Sequence, residues 1–227
     1  MNSITFRHAV CRAAMLDLDG TLVDTLGDFV AAINSMLGEL GFPQLPAPVV
    51  AGMIGKGGEF LVRAVLTQAR NGAEPSVDEL AAALSRFWHH YRRVNGRHAR
   101  VYPGVVEGLR QLRQRGLKLA CVTNKLTAES RTLLRACGLE DFFDEVTGGD
   151  RFERLKPDPL PLLETCAALG SAPAQTLMIG DSVNDARAAR AAGCPVVLVT
   201  YGYNHGTPVR SVDADAYIDS IADLARA

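Results

Sequence analysis

One short stretch limits what this chain can become. Ala14-Met-Leu-Asp17-Leu-Asp19-Gly20-Thr21-Leu-Val-Asp24 opens as an apolar run without helical period and closes as a glycine-containing turn. That is the pattern of a buried strand that delivers its last residues to a loop. Asp17 and Asp19 leave the strand together. Two like charges at the rim of an apolar core repel each other and lose hydration, a cost that persists in a fold where a cation or a chemical task compensates it. The stretch therefore predicts both a buried strand and a functional site at its carboxyl end.

Downstream the apolar period changes. Leu26, Phe29, Val30, Ile33, Met36, Leu37 and Leu40 recur at three- and four-residue intervals until Gly41-Phe-Pro43, which predicts an amphipathic helix and its stop. A second helical stretch follows Gly58 through Phe60, Leu61, Val65 and Leu66. A third opens at Ser76-Val-Asp-Glu79 and runs to Asn95-Gly96; the Ser and Glu form a capping box, each side chain answering the other's backbone N–H. From Pro103 onward strands and helices alternate: helix from Val105 to a stop at Gly116, strand 117–122, helix 127–137, strand 143–146, helix 160–169, strand 176–180, helix 184–192 and strand 195–199. Such alternation predicts an α/β fold, a doubly wound parallel sheet whose strands all end on one edge, with the ligand beyond that edge. The expected organisation is an α/β core from residues 1–24 and 98–227, interrupted by an all-helical cap over residues 25–97.

Composition narrows the partners. The 227 residues carry 24 basic against 25 acidic side chains, a balance that exerts no long-range pull on nucleic acid or anionic lipid. The basic and aromatic run Arg86-Phe-Trp-His-His-Tyr91-Arg-Arg93 has helical spacing that turns its rings to an apolar side and its arginines to solvent. Small molecules are the expected partners, neither nucleic acid nor a membrane. Apolar runs fall short of the roughly 20 residues of a membrane helix, and Met1 to Arg12 has no signal-peptide core, so a cytoplasmic protein is expected. Monomer and homodimer stay equally open. Five cysteines without C-x-x-C spacing indicate neither a disulfide framework nor a zinc site; as free thiols in apolar stretches they act as small hydrophobes.

Three later segments carry polar residues at strand or helix boundaries: Cys121-Val-Thr123-Asn124-Lys125, Leu155-Lys156-Pro157 and Gly180-Asp181-Ser182-Val-Asn184-Asp185. Singly, each has a plain structural explanation, since threonine favours turns and acids favour helix N-termini. Together, and in this order after Asp17-x-Asp19-x-Thr21-Leu-Val-Asp24, they resemble the motifs of the haloacid dehalogenase-like hydrolase superfamily. The resemblance implies strand order 5-4-1-2-3 with the Asp17 strand central. It further implies that Asp17 is a nucleophile that becomes an aspartyl phosphate, and that Asp19 is the general acid and base. Thr123 and Asn124 would meet the phosphate, Thr21 would join them, and Lys156 would balance charge on the phosphoryl group. An aspartate at position 19 argues for phosphate-ester hydrolysis. Four carboxylates gathered on one edge exceed what one lysine neutralises, and an all-oxygen cluster suits Mg²⁺. The implied ligands are the Asp17 carboxylate, the Asp19 carbonyl and Asp181, with Asp185 behind them orienting a metal-bound water or Lys156.

The helical insertion resembles the cap of this superfamily, a lid hinged near Asp24 and near Arg97 to Tyr102. In Gly52-Met-Ile-Gly55-Lys56-Gly57-Gly58, four glycines permit close backbone approach before a helix N-terminus. Gly55, Lys56 and Gly57 are therefore the expected contacts for the substrate's second anionic group. Tyr201-Gly-Tyr203-Asn204 with Gly148-Gly149-Asp150 is similar to segments of bacterial phosphoglycolate phosphatases, which implies 2-phosphoglycolate as substrate. His205 reads as a loop residue. Another small phosphate ester, a phosphomutase, or a non-catalytic metabolite-binding protein on the same fold are the alternatives.

Overall fold

The computed structural model describes residues 5–6 and 9–225; the leader expectation for Met1 to Arg12 falls partly outside them. A short antiparallel pair, β1 (Thr5–Phe6) and β2 (Ala9–Val10), leads into β3 (Ala13–Leu16), and β4 (Val23–Asp24) follows the turn. Four helices come next: α1 (Leu26–Glu39), α2 (Ala47–Ala51), α3 (Gly58–Ala69) and α4 (Val77–Val94). The remainder alternates, from β5 (Arg100–Val101) and α5 (Val105–Gln114) through β6 (Lys118–Val122), α6 (Thr127–Ala136) and β7 (Glu145–Thr147) to α7 (Leu160–Leu169). It closes with β8 (Thr176–Gly180), α8 (Val183–Ala192), β9 (Val196–Val199) and β10 (Ala216–Ile218).

The main sheet has six strands in the order β10-β9-β8-β3-β6-β7, every neighbouring pair parallel. Among the five strands expected from sequence this is the order 5-4-1-2-3, with β10 added on the β9 edge. β10 escapes the sequence pattern because its three residues are only half buried and have acidic flanks at Asp215 and Asp219; a strand with one neighbour needs no apolar run. The two-residue side-chain period sorts the inner strands cleanly. Ala14 and Leu16, Leu119 and Cys121, Leu177 and Ile179 face one core with α5 and α6; Ala13 and Met15, Ala120 and Val122, Met178 face the other with α7 and α8. Helices cover both faces, so β3 is fully buried and its C-terminal end opens only at the sheet edge.

The helical segment has a separate core in which Phe29, Phe87 and Tyr91 stack at centroid distances of 5.1 to 6.5 Å. Burying rings of this size contributes roughly 1.5–3 kcal/mol each. The capping box at Ser76 and Glu79 is formed. Where the segment leaves and rejoins the α/β part, β4 and β5 pair antiparallel, Val23 with Val101 and Asp24 with Arg100. Asp28, fully buried, accepts from the N–H groups of Gly96 and His98, both at 2.7 Å, and so ties the first helix to the returning chain. Cys11, Cys121, Cys166 and Cys194 are buried, and none of them is part of a disulfide. Among the described residues no helix is long and apolar enough to cross a membrane.

Candidate active site

Four chain segments meet beyond the carboxyl ends of β3, β6 and β8. β3 ends with the Asp17 N–H donating to the Ile179 carbonyl of β8 at 2.9 Å, which seats Asp17 beside the β8 turn. Gly20 then takes a positive φ of +88°, and a Cβ on it would lie 2.4 Å from Asp181 Oδ2. Only glycine allows the first turn to pass this close to Asp181. Gly202, after β9, is under the same constraint, since a Cβ there would meet the Asp181 Cβ at 2.2 Å.

Lys156 is the hub of the inner half. Its ammonium lies 2.8 Å from Asp17 Oδ1 and 2.7 Å from Asp185 Oδ1, and donates to the Val122 carbonyl at 2.7 Å. Those three contacts match the three N–H donors of a lysine. The two carboxylates hold Lys156 well above the ordinary lysine range despite its burial. The second Asp185 oxygen accepts from the N–H groups of Asp181 and Ser182 and from the Ser182 hydroxyl, closing the N-terminus of α8. Asp181 Oδ1 accepts from Thr21 Oγ1 at 2.9 Å, and Oδ2 from the Tyr203 N–H. Burial, assisted by Asp185 and Asp19 and opposed by Lys156, pushes the Asp17 carboxyl up to about 6. Burial and the charges of Asp185 and Asp17 raise Asp181 well above the carboxylate range.

The outer half is organised around Asp19. Lys125 places its ammonium 2.6 Å from Asp19 Oδ1 and 2.9 Å from Oδ2, and Thr25 Oγ1 donates to Oδ1 at 2.7 Å. The same ammonium sits over the rings of Phe29 and Tyr91, 4.6 and 4.9 Å from their centroids, where ring quadrupoles attract it. Lys125 is buried, so the four carboxylates face two lysines rather than the one expected. Asp17, Asp19, Thr123 and Lys125 line a pocket with about 430 Å³ of empty space, mouth included, walled by Phe29, Ile54, Leu61 and Trp88 and by the backbone at Gly55, Gly57 and Gly58.

Several expected contacts lie elsewhere. Thr21 is fully buried and its hydroxyl serves Asp181, not the pocket. Asn124 lines the pocket, yet its amide is committed: Nδ2 donates to the Lys156 and Gly55 carbonyls and Oδ1 accepts from the Lys156 N–H. It struts the loop of α2 and α3 against the sheet edge. Gly55 and Gly57 border the pocket with positive φ of +105° and +90°. Lys56 does not: its ammonium lies over the Phe60 ring at 4.7 Å and its side chain borders a separate groove with Arg187 and His205. Thr123 accepts at Oγ1 from the Lys125 N–H.

Lys125 and Tyr203 stand in segments noted from sequence, but neither they nor Thr25 had been assigned a role in the site. Tyr203 reaches further than its neighbours, donating through its hydroxyl to Asp24 and accepting from the N–H groups of Thr25 and Leu26 at 3.0 Å each. One residue thus links Asp181 to the start of α1. The signal available was Gly202 beside it, which marks a close backbone approach.

The motifs converge here in the order in which they occur along the chain, and the sequence model of haloacid dehalogenase-like hydrolases matches residues 14–199. The chain belongs to the haloacid dehalogenase-like hydrolases. Among relatives in this family, the phosphoglycolate phosphatase of Thiobacillus denitrificans is 45% identical over 94% of both chains. The plasmid phosphoglycolate phosphatase of Cupriavidus necator is 46% identical over 94% of this chain and 91% of its own. The crystal structure of a predicted phosphoglycolate phosphatase from Haemophilus somnus superposes with a TM-score of 0.90 at 36% identity, covering 95% of this chain and 97% of the other.

In this member of the hydrolase family, Asp17, Asp181 and Asp185 offer carboxylate oxygens within 4.8 Å of one another, all three residues buried. The donor set is all oxygen and anionic, and burial, with the neighbouring carboxylates adding to it, raises both Asp17 and Asp181. Those properties fit a hard divalent cation. Asp185, with Lys156 on one oxygen and three hydrogen bonds on the other, is less available as a direct ligand than Asp181, whose oxygens accept one hydrogen bond each.

Proposed function

We propose that this hydrolase is a Mg²⁺-dependent phosphatase that converts 2-phosphoglycolate to glycolate and inorganic phosphate through an aspartyl phosphate. The observation that carries the reading is Asp17 at the end of β3, in contact with the fully engaged Lys156 and bordering a small pocket shared with Asp19. The substrate comes from the relatives at 45 and 46% identity, which are named phosphoglycolate phosphatases.

In the proposed cycle an Asp17 oxygen attacks phosphorus, and the bond from phosphorus to the glycolate oxygen breaks. Asp19 gives its proton to that leaving oxygen. It then takes a proton from the water that attacks the aspartyl phosphate, which frees Asp17 and inorganic phosphate. Lys156 holds Asp17 in line and keeps a positive charge beside the transferring group. Asp185 orients Lys156, and Thr123 borders the phosphoryl site. Mg²⁺, held by Asp17, the Asp19 carbonyl and Asp181, would shield the repulsion between nucleophile and phosphate. Thr21 and the Tyr203 N–H fix the Asp181 carboxylate for that role. Residues 25–97 act as a cap: its helices cover the pocket, β4 and β5 form the hinge, and closure excludes water.

Phosphate release from a panel of esters tests this. The expected result is the highest kcat/KM on 2-phosphoglycolate, loss of activity with EDTA and recovery with Mg²⁺. Failure to release phosphate from any ester in the presence of Mg²⁺ would refute the assignment.

A further inference from the structure

The inner and outer lysines differ in what they have left to offer. Lys156 directs all three donors at fixed acceptors of the protein. Lys125 is also buried, but the hydrogen bonds of its ammonium go to Asp19 alone, and two ring faces flank it. Among the described residues that line the pocket, Lys125 carries the one positive charge. Besides the carboxylates, the rest of the lining is uncharged: Thr123, Asn124, the side chains of Phe29, Ile54, Leu61 and Trp88, and glycine backbone.

Asp19 is equally constrained. Both its oxygens are occupied, Oδ1 by Thr25 and Lys125 and Oδ2 by Lys125. In that arrangement Lys125 and Thr25 hold the carboxylate that the proposed cycle uses as its acid. An ammonium this deeply buried cannot simply let go of its carboxylate, because an unpaired buried charge is strongly destabilising. It can exchange one carboxylate for another at little cost.

We propose that Lys125 is the receptor for the second anionic group of the substrate, and that substrate binding transfers its ammonium from Asp19 to that group. The substrate class that follows is a short phosphate monoester with a carboxylate one or two bonds from the ester carbon. A longer ester would carry its anion past Lys125 into the apolar wall. A neutral ester leaves Lys125 on Asp19 and the acid misdirected; a cationic ester adds repulsion. Lys125 thereby couples recognition of the carboxylate to release of Asp19, and the rings of Phe29 and Tyr91 hold the ammonium within reach of both. This inference rests on the phosphatase reading above and deepens it by assigning to Lys125 the role that sequence pattern gave to the loop of Gly55, Lys56 and Gly57.

The test compares three esters of matching size on the wild-type protein with Mg²⁺: 2-phosphoglycolate, ethyl phosphate and phosphoethanolamine. Wild type should prefer 2-phosphoglycolate to ethyl phosphate by about 10- to 100-fold in kcat/KM, as expected for a charged hydrogen-bonded contact, with phosphoethanolamine last. Lys125→Met should bring the ratio of the first two esters close to unity, chiefly through KM for 2-phosphoglycolate. If Lys125→Met does not fold, Lys125→Gln takes its place in the comparison, with the same expected and overturning ratios. Equal use of ethyl phosphate and 2-phosphoglycolate by wild type would overturn the proposal, as would a folded Lys125→Met that keeps the wild-type ratio. Hydrolysis of all three without discrimination leaves the phosphatase reading intact while removing this one; hydrolysis of none removes both.

Discussion

Two buried lysines stand within one site and are used in opposite ways. Around Lys156, at the sheet edge, every donor and nearly every acceptor is matched by protein: Asp17, Asp185 and the Val122 carbonyl enclose the ammonium, and the capping groups of α8 enclose Asp185. Around Lys125, under α1 and α4, one carboxylate and two aromatic faces do the same work. The first region is rigid because its partners sit on β3, β6 and α8 of a single core. The second spans the sheet edge and the helical segment, so closure of the proposed cap would change its contacts. A fixed charge suits phosphoryl transfer, which needs preorganisation; an exchangeable one suits recognition.

The contrast is broken most severely at Asp17. Asp17→Asn should lower kcat by more than about 10³-fold, as loss of a nucleophile does. It should leave the metal-free melting temperature unchanged or higher, because a buried charge is removed. Parallel rate and melting measurements check this, and a variant that keeps most of its rate would exclude Asp17 as nucleophile. Next comes Lys156→Met, for which a fall of about 10²- to 10³-fold in kcat is expected. Stability should fall by roughly 3–5 kcal/mol, since Asp17 and Asp185 lose their shared counter-charge. The decline should be equal on 2-phosphoglycolate and ethyl phosphate. If Lys156→Met altered the preference between esters, the division of labour between the two lysines would be wrong.

The smallest effect concerns pH and metal together. Asp17 binds its proton more tightly in the folded protein, at about 6, than at its ordinary value of 3.8, and Asp181 is displaced in the same direction. Between those pH values the folded state therefore holds more protons than the unfolded chain. These two groups make the metal-free protein lose stability as pH rises from about 4 through 6. A bound dication replaces those protons. Mg²⁺ should raise the melting temperature on the order of 5 °C at pH 7, and by less at pH 5, where protons compete for the same oxygens. Calorimetry with Mg²⁺ and with EDTA at both pH values checks the sign; a larger metal effect at pH 5 would place the ion elsewhere.

Much of this was legible before any coordinates. The β3 run, the capping box at Ser76 and the alternation after Pro103 each carry a local signature, so the helices and inner strands follow from period and punctuation. Asp17, Asp19, Lys156, Asp181 and Asp185 were legible as a set through the resemblance of their motifs to those of the hydrolase superfamily, which implied neighbouring strands whose ends share one edge. β10 was not, since a short edge strand needs neither apolar alternation nor length. Thr21 and Asn124 were placed among the substrate contacts because their side chains could have served there; which acceptor a hydroxyl or amide chooses depends on what else is near it. Lys56 and Lys125 are the clearest exchange. Both are lysines beside turn residues, and one-dimensional pattern favoured the glycine-flanked one.

The sequence by itself determined that a buried parallel strand would present two aspartates at a sheet edge and that residues 25–97 would be helical, because those outcomes depend on local period, chain breaks and the burial of apolar faces. Only the tertiary structure decided which charges meet. Lys125 and Asp19 are 106 positions apart, and Tyr203 reaches Asp24 across 179. Such pairings arise when desolvated charges and polar groups must find partners within a few ångströms, and the identity of those partners is a property of the packed chain.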